Sequence, residues 1–185
     1  HLLNLLIHLA NAWLVYSIII LTGRTPFFQN EPDPGRKTQK SYFKSIALLS
    51  AGLFVSHPIQ TQAVTYIVQR FASLATLFYL LTLFLFIRWQ LSSRRKFFYI
   101  GSLLCSLLAL KTKEIAFTIP LALWVYDCCF FHSSRSRRLY ALLPFALACL
   151  IVPLSYLATS GSDSGFFQQA ASESKVLTDM PRSTY

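Results

Sequence analysis

From Leu2 to Thr22 no side chain carries a formal charge, and Leu, Ile and Ala dominate the stretch. A helix needs about 20 such residues, at ~1.5 Å each, to cross the roughly 30 Å hydrocarbon core of a bilayer. This run reaches that length unbroken. Further apolar stretches follow at about Ser45 to Ser56, Phe71 to Ile87, Phe97 to Leu110, Ile115 to Phe131 and Leu139 to Ala158. With 54% hydrophobic and 13% charged residues, the chain cannot clothe a globule in an ordinary water-facing surface, for which about 25% charged is typical. The expected fold is all-α and integral to a membrane. About six transmembrane helices make up a domain over residues 1–158, and 159–185 form an extracytoplasmic loop or the start of a further region.

The loops set the orientation. The first carries Pro26, Pro32, Pro34 and Gly35 together with Arg24, Arg36, Lys37, Lys40 and Lys44. The third holds Arg88, Arg94, Arg95 and Lys96, and the fifth Arg135, Arg137 and Arg138. Only Arg70, Lys111, Lys113, Lys175 and Arg182 fall in the second loop, the fourth loop and the tail. Basic residues concentrate in cytoplasmic loops, so the first, third and fifth loops are expected inside and both chain ends outside. The net charge of +10 is explained by these flanks and calls for no nucleic acid. The sequence opens inside an apolar run without an initiating Met or a basic leader, and it is expected to be an excerpt of a longer protein.

Several polar residues sit where a bilayer would penalise them. His1, Asn4, His8 and Asn11 recur at helical intervals and share one narrow stripe of the first span. That stripe should face the bundle interior, serving either interhelical hydrogen bonds or a ligand. The second and fourth spans are too short to cross the core unaided, which would draw their polar outer ends below the surface. His57 would then lie at the depth of Lys111, Lys113 and Glu114, around a pocket open to the outside. Lysines snorkelling to the interface, with tilted or extended spans, are the alternative.

Between them, Ile59, Ala63, Val64, Ile67 and Val68 trace one face of an amphipathic helix over Pro58 to Gln69. Proline suits its first turn, and the helix delivers Arg70 to the start of the third span. Arg70 there needs an anionic partner: a phosphate, or Glu114 in an ion pair. Asp127, near the far end of the fifth span, is expected to pair with the Arg135, Arg137 and Arg138 cluster. Cys105, Cys128, Cys129 and Cys149 lie in or beside apolar runs without CxxC spacing or a histidine pair, which predicts buried free thiols and no metal site. Palmitoylation is the alternative at Cys128 and Cys129. No phosphate-cradling glycine loop, nucleophile elbow or catalytically spaced carboxylate pair is present.

Three stretches coincide with one pattern: His1-Leu2-Leu3-Asn4-Leu5-Leu6-Ile7-His8 opening a span, His57-Pro58 through Val64 to Arg70, and Lys113-Glu114 before a span with Pro120 and Asp127. Together they resemble the membrane part of the tetratricopeptide-repeat-containing O-mannosyltransferases and their bacterial relatives, within the GT-C glycosyltransferase superfamily. The resemblance runs from Leu2 to about Leu157. It implies a polytopic enzyme in a bacterial inner membrane or the endoplasmic reticulum membrane. The enzyme would transfer a sugar from a polyprenyl-phosphate donor to a protein or glycan acceptor on the extracytoplasmic side, by inverting displacement. It further implies that the catalytic acidic residue lies in a loop ahead of His1, and that helical repeats follow the membrane part. This stretch would then hold the donor, with no cofactor: Arg70, Lys111 and Lys113 bind its phosphate while His57 and Glu114 shape the pocket. A transporter or lipid-handling protein without transferase chemistry is the competing expectation, since short polar-tipped spans also build transport sites, and a purely structural subunit is the third.

Overall fold

The computed structural model describes residues 2–29, 36–57, 70–92, 95–131 and 134–150, with the backbone alone for 36–40, 70 and 95. All regular structure among these residues is helical. In chain order the elements are α1 (Leu2–Thr22), α2 (Pro26–Gln29), α3 (Arg36–Ser56), α4 (Arg70–Leu91), α5 (Arg95–Thr112), a 3-10 turn (Glu114–Thr118), α6 (Ile119–Phe130) and α7 (135–150). The chain divides into two compact units, His1–Ala148 and Cys149–Tyr185, and everything below concerns the first.

Local chemistry explains each boundary. At the end of α1, Gly23 donates its N–H to Ile19 O (3.2 Å), and the Thr25 hydroxyl ties off the Thr22 carbonyl at 2.7 Å. Pro26 then opens α2, where its missing N–H leaves nothing unsatisfied. Helix α3 begins nine residues ahead of the expected span, so Lys37, Lys40 and Lys44 belong to the helix and not to a loop. Hydropathy marks where a helix meets lipid; the backbone ladder continues through Lys and Arg, which are good helix formers. The helix stops at Ser56, one residue short of the His57-Pro58 pair that bars continuation.

The expected fifth span is divided. Lys113 is extended (φ −160°, ψ 145°), a 3-10 turn follows, and the α-helix proper starts at Ile119 with Pro120 in its first turn. Pro120 has no N–H to offer the carbonyl four residues back, so an α-ladder cannot run through it from Ile115. Helices thus occupy all six expected positions, yet only Leu2–Thr22 and Phe71–Leu91 are long and apolar enough to cross a membrane, with Ser41–Ser56 a shorter apolar helix. The described residues therefore do not show six spans. Basic residues at both ends of α5, the proline in α6 and the basic first turns of α3 account for the difference. The expected helix over Pro58 to Gln69, the later part of the sixth span and residues 159–185 lie outside the described residues.

Packing assigns the helices to two ends. Phe43 meets Gly23 and Phe54 stacks on His8, so α3 returns alongside α1. Helices α4 and α5 form an antiparallel hairpin whose contact is lined with small side chains. There the Ser102 hydroxyl donates to Thr82 O at 2.9 Å, and a Cβ on Gly101 would lie 3.3 Å from Leu85. Tyr79, midway along α4, reaches Thr118 (3.2 Å), and Gln90, near the end of α4, reaches Asp127, so α6 runs in the direction of α4 alongside its second half. One end of the unit consequently gathers Leu2, Ser56, Arg70 and Thr112. The opposite end gathers Thr22, Leu91, Phe130 and the start of α7.

Candidate functional site

The stripe on α1 points inward. Asn4, His8 and Asn11 are 1%, 5% and 2% exposed, whereas Leu3 and Leu6 on the other face are 52% and 55% exposed. Asn11 Nδ2 donates to Ser73 O of α4 at 3.2 Å, and His8 Nε2 lies 3.5 Å from Val55 O of α3. These bonds tie α1 to both neighbours, the first of the two roles open to the stripe. Asn11 Oδ1 is buried without a hydrogen-bond partner among the described residues.

The residues expected to hold a phosphate share the end formed by Ser56, Arg70 and Thr112. The hairpin register pairs Thr82 with Ser102 and Leu85 with Gly101, and it carries the start of α4 alongside the Lys111 to Glu114 segment. His57, Lys111, Lys113 and Glu114 are all exposed there. The Arg70 backbone opens α4 at this end. Its contact with Lys111 or Lys113 through a phosphate, or with Glu114 in an ion pair, falls on a side chain outside those described.

The most developed polar cluster is at the opposite end. Asp127, 1% exposed, accepts from Arg138 Nε at 2.6 Å through Oδ2 and from Gln90 Nε2 through Oδ1. The hydrogen bond to this carboxylate holds the Arg138 guanidinium pKa above its ordinary value. Of the three arginines expected near Asp127, Arg138 makes the pair, while Arg135 and Arg137 are exposed. Aromatic packing surrounds the cluster: Phe145 of α7 sits edge-on to Phe86 and Tyr99, and the Tyr99 hydroxyl donates to Ala141 O at 2.9 Å.

Two contacts escaped the sequence. Gln90 sits in the last turn of α4, beyond Arg88, and is a single amide without a repeating partner, although an amide there needs a bonding group as much as an asparagine does. Thr22 and Tyr126, 104 residues apart and 2.7 Å between hydroxyls, join α1 to α6 with no periodic signal at all. None of the four cysteines is joined in a disulfide, but Cys129 is exposed and the others are half-buried. This corrects the expectation of buried thiols, because an apolar helix turns part of every face outward. Among the described residues no three His, Cys, Asp or Glu side chains converge as a metal site would require. Comparison with protein-family models, with curated proteins and with solved structures found no match to this chain.

Proposed function

We propose that this chain is a multi-pass membrane segment of a GT-C-type glycosyltransferase. In this reading it holds a polyprenyl-phosphate sugar for transfer to an extracytoplasmic protein or glycan acceptor. Inverted polarity supports the membrane placement. Asn4, His8, Asn11, Ser73, Ser102 and Asp127 are buried while Leu2, Leu48, Leu53, Phe71, Phe97 and Leu104 are exposed, the reverse of what water selects. Exposed apolar surface on this scale needs a nonaqueous partner. Transferase chemistry is supported by the residue pattern around His1–His8, His57–Arg70 and Lys113–Asp127.

The observation that carries the donor role is the gathering of His57, the start of α4, Lys111 and Lys113 at one end of the unit. Cations at that end would neutralise the phosphate as it leaves, and Glu114 beside them would keep the lysines oriented. The basic loops lie at the other end, so positive-inside orientation turns the donor end to the extracytoplasmic side.

The test uses the full-length protein in proteoliposomes, with a polyprenyl-phosphate mannose as donor. Arg70→Ala is expected to weaken donor retention and transfer roughly 10- to 150-fold, the equivalent of a charge-assisted contact of about 1.5–3 kcal/mol. Lys111→Ala and Lys113→Ala should each weaken it in the same direction. Unchanged donor retention in all three variants, with the protein still folded, overturns the phosphate role. Solute or lipid flux without sugar transfer would establish the transporter instead.

A further inference from the structure

A groove of about 900 Å³ runs between α6 and α7, within the range of about 300–1,000 Å³ typical of sites for small ligands. One wall is Leu121 and Trp124 of α6; the other is Leu139, Leu142 and Leu143 on a single face of α7. Arg135 and Arg138 also line it, and none of its lining residues among the described ones is acidic. The two arginines differ. Arg138 is anchored by Asp127 at 2.6 Å and forms a fixed edge, while Arg135 is exposed. Trp124 and Leu143 are 49% and 49% exposed along the trough.

We infer that this groove binds an anionic phospholipid. Its acyl chain lies along Leu121, Trp124 and Leu143, and its phosphate lies against Arg135 at the edge set by Arg138. Charge complementarity selects this occupant. A soluble anion would leave the apolar trough uncovered, and a zwitterionic head group would bring its own cation toward the exposed Arg135 guanidinium, Arg138 being already paired with Asp127. The site is at the end of the unit opposite Arg70 and Lys111, in the leaflet next to the basic loops. It is distinct from the proposed donor site, and it rests on the membrane placement proposed above.

Trp124 reports on the groove directly. In a Trp13→Phe, Trp89→Phe background reconstituted in bilayers, a minor fraction of phosphatidylglycerol with brominated acyl chains should quench Trp124 more than the same fraction of brominated phosphatidylcholine. Arg135→Ala should cut that preference about fivefold, the usual worth of one basic side chain at an anionic lipid surface. Trp13, 60% exposed on α1, serves as reporter in the matching Trp89→Phe, Trp124→Phe chain and should show no preference. Equal quenching of Trp124 by the two lipids overturns the groove assignment and leaves the membrane placement standing. Quenching of neither tryptophan by either lipid overturns both. Should the tryptophan replacements fail to fold, native mass spectrometry of the unsubstituted protein decides the matter. Retained phosphatidylglycerol that is lost in Arg135→Ala supports the site, and equal retention overturns it.

Discussion

Removing Arg138 should damage this protein more than neutralising its partner. Asp127 is almost fully enclosed, whereas the Arg138 side chain keeps 17% of its surface exposed. Arg138→Gln strands a buried carboxylate, and breaking a buried pair by removing one partner costs about 3–5 kcal/mol. The remaining bond from Gln90 and the partial exposure of the pair lower that to roughly 2–3 kcal/mol. Asp127→Asn leaves a neutral amide in the same space, and the guanidinium can turn to the outside, so about 1 kcal/mol is expected. With both replaced, no charge is left unpaired, and the double variant should recover most of the loss seen in Arg138→Gln. Unfolding free energies in mixed detergent micelles, arranged as a double-mutant cycle, measure each term. Strict additivity, or Asp127→Asn proving as harmful as Arg138→Gln, would refute the idea that the enclosed carboxylate dictates the asymmetry.

Two glycines should respond in opposite senses. A Cβ on Gly23 would lie 2.7 Å from the Phe43 ring, so Gly23→Ala should destabilise by about 1–3 kcal/mol through overpacking. Gly52 in α3 has nothing within 4 Å of that position, and Gly52→Ala should be neutral or stabilising by about 0.5–1 kcal/mol in the same unfolding assay. In a cysteine-free chain, a cysteine at Ser93 should be labelled by a membrane-impermeant maleimide only from the cytoplasmic face, and one at Lys113 only from the outer face. The reverse pattern would discard the proposed orientation.

Boundaries were legible in proportion to how local their causes are. Helices α1 and α3 end at Thr22 and Ser56, next to Gly23 and to the His57-Pro58 sequence, and both ends fall where the sequence places them. The start of α3 was not legible from hydropathy, because Arg36, Lys37 and Lys40 break an apolar window without breaking a helix. Pro120 was visible in the sequence, and its consequence, a 3-10 entry ahead of α6, follows from its missing donor. The inward face of α1 was legible because four polar residues at helical spacing outnumber chance, whereas Gln90 and the Thr22 to Tyr126 bond are single groups whose partners depend on which helices become neighbours.

The same distinction separates the two polar ends. Asp127, in the last turn of α6, and Arg138, in the first turn of α7, lie close in sequence, so packing α7 beside α6 is enough to bring them within reach whatever the rest of the bundle does. His57, Arg70 and Lys113 have no such local guarantee. They reach one end because α3 returns along α1 and because the α4 and α5 hairpin is locked in register by Ser102 on Thr82 and by the close approach at Gly101. A one-residue slip of a helix rotates its side chains by about 100°, enough to turn a basic residue away from the others at the common end of the unit. The small side chains at that hairpin contact therefore control the geometry of the proposed donor end more firmly than the charges that gather there.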